Sequence, residues 1–298
     1  MFFRNLVPYR LDTKQINNGN LNAQTLSEAL STAPFVPTLP FQMESLGWVN
    51  TLGELLVHEA SGAMRIALMQ ETRTVPASVI KDRVEARADD IAKRENREVS
   101  NREKREMKEA ILIELLPQAF PRRQRITACV DPVSGWLWVD TSSLKRAELL
   151  TSQLRKALGS LPVSAPKLKA NPEAKMTYWL LETPPAHFEL GGACRLVDSL
   201  NGGTVTINRH NLSDPEILAL AESGKEVDQM ELIWRERISF VLKSDMTLGR
   251  LQFLDTVVEQ LPEEEDELAQ ADSMFALMVG ELRAMMDDLI QALDGESG

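Results

Sequence analysis

The segment 111–125, ILIELLPQAFPRRQR, combines a large apolar ring with a cluster of arginines. A helical pattern ends at Pro117, and Phe120 follows beside an expected turn at a loop tip. The arginines after it are Arg122, Arg123 and Arg125. A surface phenylalanine suits a protein pocket or a nucleic-acid base, and guanidinium groups suit phosphate. The segment therefore predicts a surface that binds another molecule. The competing interpretation is that Phe120 is a core residue that caps its own helix and that the arginines are solvated.

Other kinds of site have little support in the residue pattern. There is no GxxxxGK[ST] phosphate loop, no GxGxxG after a strand and no GxSxG elbow. The histidines and cysteines lie too far apart for metal spacing: His58, His187, His210, Cys129 and Cys194. We therefore predict no enzyme activity, no metal and no cofactor. A metal-dependent nuclease stays an alternative only if carboxylates such as Glu231 and Asp255 share one site.

The composition is that of an ordinary soluble protein. The chain has 298 residues, of which 43% are hydrophobic and 26% charged, enough to bury a large core. No apolar run approaches the ~20 residues that span a bilayer. The N-terminus lacks the layout of a signal peptide, and two cysteines make no disulfide framework. These features predict a cytoplasmic protein.

The net charge of −11 is distributed unevenly along the chain. From residue 245 onward there are 2 basic and 14 acidic residues, a net charge of −12. The first 244 residues carry 31 basic and 30 acidic residues, a net charge of +1. A basic surface on the first part of the chain is therefore compatible with the acidic total.

The elements that position Phe120 begin with a charged helical segment. Residues 81–109 hold 10 Lys or Arg and 9 Asp or Glu, and strong helix formers dominate. Val84, Ala88 and Ile91 make a thin apolar stripe, and Ser100-Asn101 can end one helix and cap a second. The basic residues predicted to cluster on another face are Arg83, Arg87, Arg94 and Arg97. The pattern predicts a helical hairpin that projects from a sheet-containing body, or else a solvated helix pair with no ligand.

Several other elements follow from local signals. Met1–Leu11 is predicted as a strand, Thr25–Glu28 as a capping box, and Leu144–Leu158 as a helix ended by Gly159. ITACV and WLWVD form a predicted hairpin whose tryptophans, Trp136 and Trp138, share one face and are expected in the core. Further predicted strands are Phe188–Leu190, Cys194–Val197, Thr204–Ile207, Met230–Trp234, Ile238–Leu242 and Leu248–Phe253. If 234–238 continues a strand, Arg235 and Arg237 share a face.

The last helix has the clearest period in the chain. Its apolar positions step by three and four residues: Leu268, Ala271, Phe275, Met278, Leu282, Met285 and Leu289. This seam favours packing on the protein's own sheet, with self-association as the alternative. The acidic run Glu263–Glu267 precedes it and complements the positive helix N-terminus.

Together these patterns predict an α+β protein with antiparallel or mixed sheets, packed helices and a projecting helical arm. We predict four ranges: an N-terminal α+β part (1–75), a charged helical arm or tip (76–121), a sheet and helix that complete the first α+β unit (122–165), and a second α+β unit with the long acidic-capped helix (166–298).

Specific strings along nearly the whole chain resemble the RdgC family of bacterial recombination-associated proteins. The strings are FRNLVPYRL at the start, Leu46-Gly-Trp-Val49, Val79-Ile-Lys81 after Pro76, LLPQAF at 115–120, Val139-Asp140, LRKALGSLPV at 154–163, Asn211-Leu212, the 234–241 block, and Gly280-Glu-Leu282. Their order and spacing make chance agreement very improbable.

The resemblance implies a sequence-nonspecific, nucleoid-associated DNA-binding protein. Family members form a ring-shaped homodimer that encircles duplex DNA through a basic hole and restrains RecA. Single-stranded DNA is a further expected partner. Encirclement requires only a basic inner wall, so it agrees with a net charge of −11. The alternative is a protein-interaction antagonist that contacts RecA directly, with the acidic C-terminal segment acting as a nucleic-acid mimic or binding a basic partner.

The resemblance also assigns roles to residues. Phe120 matches the family's ring-closing apolar residue, and we place Leu116 and Pro117 at the same dimer interface. Arg209 and His210 match a loop implicated in DNA contact, although a neutral imidazole is a weaker phosphate partner than arginine. Gln118 stands where relatives can carry a basic residue. We expect Arg122, Arg123 and Arg125 to compensate for it, with Lys81, Arg83, Arg87, Arg94 and Arg97 as the contacts from the arm.

Overall fold

The computed structural model describes residues 2–12, 21–199, 201–262, 264 and 266–297. It has the predicted α+β class, and the registers of its paired strands are antiparallel. The predicted positions Met1, Glu263 and Glu265 lie outside the described residues. No helix in the described part of the chain is long and apolar enough to cross a membrane.

The chain divides into two compact units. Unit 1 contains residues 1–32, 50–67 and 126–298, and unit 2 contains 33–49 and 68–125. Two strands, β4 (Ala63–Arg73) and β5 (Pro121–Asp131), contribute residues to both. The four predicted domain ranges stay a prediction, because a compact unit need not be a domain that folds alone.

Unit 1 contains two sheets. The first contains residues 63–67 of β4 and 126–131 of β5, and its strand order is β4-β5-β6-β1-β7. Its other strands are β1 (Val7–Leu11), β6 (Trp136–Val139) and β7 (Val163–Ser164), and β3 (His58–Ala60) pairs with β4. The second has the order β12-β11-β10-β8-β9. Its strands are β8 (Phe188–Val197), β9 (Thr204–Ile207), β10 (Glu226–Trp234), β11 (Ile238–Lys243) and β12 (Leu248–Phe253). Leu6 exchanges two backbone hydrogen bonds with Leu248, both 2.8 Å, and so joins the start of the chain to β12.

The helices of unit 1 cover these sheets. They are α1 (Ala23–Ser31), α4 (Leu144–Leu158), α5 (Pro172–Leu181), α6 (Pro215–Glu222), α7 (Asp255–Val258) and α8 (Glu267–Ala292). The predicted seam of α8 packs into the protein's own core, where Phe275, Met278, Leu282, Met285 and Leu289 are fully buried. Trp136 and Trp138 are fully buried too, as predicted. Leu268, the first seam position, is half exposed.

Local signals account for most helix ends. Gly159 ends α4 in the left-handed conformation, as predicted. The capping box of α1 was misplaced by three residues, because Asn22 is the N-cap and Thr25 is its N3 partner.

The ends of the strands depend less on local sequence signals than on pairing with the neighbouring strand. β8 is one strand across the predicted break, because β10 pairs with both halves and its register shift absorbs the irregularity. Residues 235–237 form the hairpin loop between β10 and β11 rather than continuing a strand, because Trp234 pairs with Ile238. Arg235 and Glu236 have positive φ, 47° and 54°, which lies outside the range of a β-strand. Arg235 and Arg237 therefore do not share a strand face.

Unit 2 is built around a helical hairpin. It contains α2 (Ala77–Glu95), α3 (Asn101–Leu115), a short 3-10 turn (Leu116–Gln118), β2 (Glu44–Val49), and the remaining residues of β4 and β5. Ser100 caps α3 in a capping box with Glu103, as the interrupted pattern predicted. Ile80, Val84 and Ile111 form the small core of the hairpin.

Candidate nucleic-acid interface

Phe120 is the most exposed large apolar side chain of the described residues, at 93% of its full accessible surface. The 3-10 turn follows α3, and Ala119 is extended, so Phe120 lies between the end of the helix and the first residue of β5. The carbonyl of Ala119 accepts a 2.8 Å hydrogen bond from Arg73 Nη1, which holds this corner. The competing interpretation of Phe120 as a core residue is therefore wrong.

An apolar groove lies beside the phenylalanine ring. It has a volume of about 360 Å³ and is lined by Thr74, Val75, Pro76, Val79, Leu115, Gln118, Ala119 and Phe120. Val79 is 40% exposed there. Leu116 is buried and Pro117 is exposed, so only the proline of this pair offers its side chain to a partner in this conformation.

A second apolar segment in unit 2 was missed by sequence reasoning. Four side chains in residues 36–43 are between 52% and 69% exposed: Val36, Leu39, Phe41 and Met43. The prolines of this segment predicted an extended loop, but no periodic pattern marks which side of a loop faces solvent. The sequence feature that could have indicated this surface is the run of apolar residues between the prolines. Isolated apolar residues are common on surfaces, whereas a contiguous apolar group indicates a binding surface.

The loop is anchored to β2 by a close backbone approach. Phe35 N donates to the carbonyl of Trp48, and Trp48 N donates to the carbonyl of Ala33, both at 2.9 Å. A Cβ atom on Gly47 would lie 2.3 Å from Phe35 Cα, so only glycine fits. This explains the glycine of the Leu46-Gly-Trp-Val49 string.

A buried carboxylate ties the loop to the two long strands. Glu71 on β4 accepts hydrogen bonds from the backbone N–H (2.7 Å) and hydroxyl (2.6 Å) of Thr38 and from Arg123 Nε (2.6 Å). The Thr38 hydroxyl, followed by Arg123, lowers the pKa of Glu71 to about 2. Arg73 Nε donates to the same hydroxyl at 2.9 Å. Because Arg73 also holds Ala119, the exposed loop and Phe120 belong to one connected corner of unit 2.

The arginine cluster lies on β5 and not on a loop tip, because the strand begins at Pro121. Strand alternation separates Arg122 from Arg123 and Arg125. Arg123 is held by Glu71, and its guanidinium lies 5.5 Å from the Phe35 ring centre. Partial burial lowers the pKa of Arg125. Arg122 is exposed and makes no ion pair with any residue that the structure describes.

Several basic residues of the helical hairpin form ion pairs with acidic residues of the same hairpin. Lys81 lies 3.7 Å from Glu85, and Arg87 lies 3.2 Å from Glu114. Arg97 lies beyond the end of α2, where Asn96 is left-handed, so it is not on the face predicted for it. It pairs with Glu103 (2.7 Å) and Glu95 (2.6 Å), and the hydrogen bonds to Glu103 and then Glu95 raise the pKa of Arg97. Two exposed residues, Arg83 and Arg94, make no ion pair within the described ranges.

The predicted loop Arg209-His210 belongs to unit 1, whereas the other candidates belong to unit 2. His210 N donates to the carbonyl of Gly192 (3.0 Å), which fixes the loop over β8. His210 Nδ1 lies 2.9 Å from Asp214 Oδ2. Arg209 has a φ of 54°, is exposed, and has no acidic partner among the described residues.

Several carboxylates of the acidic C-terminal segment pair with basic side chains within unit 1. Glu281 pairs with Arg237, and Asp288 pairs with Arg235 while also accepting a 2.7 Å hydrogen bond from Trp234 Nε1. Other pairs of this kind are His58–Asp272, Lys175–Asp294 and Arg10–Glu296. Glu281, Asp288, Asp294 and Glu296 therefore pair with cations of the first 244 residues. Asp272, Glu281 and Asp288 lie on α8 and bond it to the rest of unit 1.

No group of three or more His, Cys, Asp or Glu side chains converges as a metal site would, within the part of the chain that the structure describes. Glu231 Oε2 accepts a 2.8 Å hydrogen bond from Gly192 N, and Asp255 begins α7.

Comparison with known proteins gives one consistent family. A family model described as "RdgC: Putative exonuclease, RdgC" matches residues 1–296. A protein of Laribacter hongkongensis named "Recombination-associated protein RdgC" is 37% identical over 302 residues, covering 100% of this chain and 99% of that protein. Proteins of the same name from Tolumonas auensis (37%, 99% of each chain) and Pseudomonas aeruginosa strain LESB58 (36%, 99% and 98%) are similarly close.

Proposed function

The chain belongs to the RdgC family of recombination-associated proteins, and we propose that it binds DNA without sequence preference, as a homodimer that closes a ring around the duplex and restrains RecA-dependent recombination. The observation that carries the ring closure is the 93% exposure of Phe120 beside an apolar groove.

Phe120 and the groove beside it form a self-complementary pair. In a two-fold dimer the same patch of each protomer meets its counterpart, so each Phe120 ring can enter the groove of the other chain. Burying one phenylalanine side chain contributes about 2 kcal/mol. The exposed loop at 36–43, connected to this corner through Arg73, extends the closing surface. The hairpin α2–α3 is the arm that presents this corner.

Cations without internal partners supply the DNA affinity in this proposal. Arg83, Arg94 and Arg122 are exposed in unit 2, and Arg209 is exposed in unit 1. Each cation that neutralises a phosphate releases a condensed counterion, so affinity falls steeply with salt and carries no base preference. Arg87, Arg97 and Arg123 contribute less, because each already faces a carboxylate.

The test compares closed circular duplex with the same DNA linearised, across a salt series. A ring that encloses the duplex stays on the circle at salt concentrations that strip it from linear DNA, because only linear DNA offers an end. Equal release from both forms would replace the ring with an open electrostatic groove. No binding to either form would remove the DNA-binding proposal.

The alternative is an antagonist that acts by direct contact with RecA. The feature that suggests it is the acidic C-terminal segment, which could act as a nucleic-acid mimic. Several of those carboxylates are paired with arginines of unit 1 and are less available to a partner. Deleting the chain beyond residue 244 would remove α8 and its buried core positions, so it would unfold the protein rather than isolate a contact. A RecA pull-down in the absence of DNA is the cleaner test, and RecA binding without DNA binding would favour this alternative.

The description of the family model keeps a nuclease as a further candidate. Incubation with Mg²⁺ and plasmid tests it. Cleavage that a single carboxylate substitution abolishes, such as Glu231→Gln, would establish an enzyme, whereas intact plasmid would support a binding role.

A further inference from the structure

A row of polar side chains crosses one face of the second sheet in unit 1. The strand registers place Thr206 opposite Arg195, Arg195 opposite Gln229, and Gln229 opposite Lys243. Residues directly opposite share a face of the sheet. The neighbouring row on the core side is Ile207, Cys194, Met230 and Leu242. The polar row is therefore the outward face of a sheet whose inner face is packed.

A concave pocket of about 290 Å³ lies on this face. Its polar lining includes Arg195, Lys243, Arg250, Asn5, Asn208 and Thr206. All of these residues belong to unit 1. The DNA-binding function proposed above does not use this pocket.

The pocket carries positive charge that the protein leaves unbalanced. Arg195 is held by Asp228, with Nε 2.8 Å from Oδ1. Lys243 and Arg250 make no ion pair with any described carboxylate. Cys194 adds no negative charge, because burial raises the pKa of its thiol to about 11. Two cations facing one concave site attract an anion.

Gly249 keeps the space between these groups open. A Cβ atom there would lie 3.9 Å from Lys243 Cε and 4.0 Å from Asn5 Oδ1, which are ordinary contact distances. Its φ is not positive, so the backbone does not require glycine at this position. Any side chain at 249 would extend among the groups that line the pocket.

We propose that this pocket binds one phosphodiester group of a nucleic-acid backbone, an inference that rests on the proposed DNA binding. Lys243 and Arg250 supply charge, and the amides of Asn5 and Asn208 supply neutral donors that fit phosphate oxygens. Asn208 precedes Arg209, so the predicted DNA-contact loop begins at the pocket.

The apolar part of the lining separates a backbone phosphate from a free anion. Ala193 and Val241 line the same pocket. Their side chains suit the carbon atoms of a sugar attached to the phosphate, whereas a hydrated inorganic anion gains nothing from them. The pocket thus matches a phosphate that arrives with its deoxyribose.

Two kinds of variant test this pocket in the full-length protein. Lys243→Ala with Arg250→Ala removes the unbalanced charge, and Gly249→Val fills the space with every charge retained. Gly249→Ala, which adds only the Cβ atom, serves if valine impairs folding. The control is Lys167→Ala with Lys169→Ala, which removes two exposed cations near the C-terminal end, where Lys169 N donates to the carbonyl of Gly295.

The readout is affinity for a short duplex, measured by fluorescence anisotropy over a salt series, with melting curves for each variant. We expect the charge variant to reduce the slope of log affinity against log salt by about one per chain, because one phosphate contact is lost. Both glycine variants should weaken binding without changing the charge, and valine should do so more than alanine. The slope of log affinity against log salt for the control should differ from that of the wild type by less than about 0.5.

The two proposals fail in different ways. If the wild-type protein does not bind duplex at low salt, the proposed function is wrong and the pocket assignment falls with it. If the wild-type protein binds but the pocket variants match the control, DNA binding stands and the pocket assignment is wrong. Inorganic phosphate at constant ionic strength is the third arm. If it raises the melting temperature of the wild type but not of Gly249→Val, and duplex affinity is unchanged, the pocket binds free phosphate instead.

Discussion

Arg123 and Glu71 form an ion pair in which Arg123 Nε lies 2.6 Å from Glu71 Oε2, and the carboxylate is 1% exposed. The two residues are 52 positions apart, on β5 and β4. Arg123 therefore stabilises the corner that holds the exposed loop, and it is less available to phosphate than its neighbour Arg122.

The adjacent arginines should separate stability from DNA binding. Arg123→Ala leaves a buried carboxylate without its cation, and we expect a loss of about 2 kcal/mol in the free energy of unfolding. Arg122→Ala should change that free energy by less than about 0.5 kcal/mol but weaken DNA binding and flatten its salt dependence. Urea unfolding and duplex anisotropy measure the two effects. Equal destabilisation by both substitutions would contradict the assignment.

Acid should weaken unit 2 through Glu71. The hydrogen bond from Thr38, followed by Arg123, holds the pKa of Glu71 at about 2, below its ordinary value of 4.5. A carboxyl with a lowered folded-state pKa stabilises the fold above its unfolded pKa, and this contribution is lost as the pH falls from about 4.5 toward 2. Glu71→Gln should be less stable than wild type at pH 7 and should lose less stability over that acidic window.

Urea midpoints at pH 7, 4 and 3 measure this dependence. The control is Glu109→Gln on the exposed surface of α3, which should keep the wild-type profile. A Glu71→Gln protein with the wild-type acid sensitivity would assign that sensitivity to other carboxyl groups.

Phe120→Ser should open the dimer without unfolding the chain. The ring is 93% exposed, so its loss removes little packing within one protomer. We expect more monomer at micromolar concentration in sedimentation and loss of salt-resistant retention on circular DNA. Ile113→Ser is the matched control, because Ile113 is 59% exposed on α3 but does not line the apolar groove. If both variants dissociate equally, Phe120 has no special place in the interface.

Asp288→Ala should destabilise unit 1, and Asp287→Ala should not. Asp288 accepts hydrogen bonds from Trp234 Nε1 (2.7 Å) and Arg235 Nε (3.1 Å), whereas Asp287 is exposed. Removing the carboxylate leaves a buried indole N–H unpaired, at about 1–3 kcal/mol. Thermal melting with tryptophan fluorescence measures the difference. Similar melting temperatures for the two variants would contradict the role given to Asp288.

Helices with local end signals were the most predictable part of the fold. Gly159 and Ser100 mark α4 and α3 because cap hydrogen bonds and left-handed turns involve residues only a few positions apart. Strands were less predictable. The residues 234–238 resemble a strand in composition, but the pairing of β10 with β11 makes 235–237 the loop between them.

The candidate site was predicted only in part. LLPQAF and the arginines after it mark the right corner of unit 2, but the apolar loop at 36–43 was missed because residue type in a loop does not reveal exposure. The pocket of Lys243 and Arg250 was missed as well. Its residues come from separate strands, and only the register of the sheet brings them together.

The sequence by itself determined the α+β class, the helical hairpin, the buried seam of α8 and the family, because each depends on local spacing or on strings that persist along the chain. Only the tertiary structure decided which charges are available. Arg123 meets Glu71, and Arg235 meets Asp288, across more than fifty residues of sequence. The interaction energy of two charges depends on the distance between them and on how deeply they are buried, and neither follows from position along the chain.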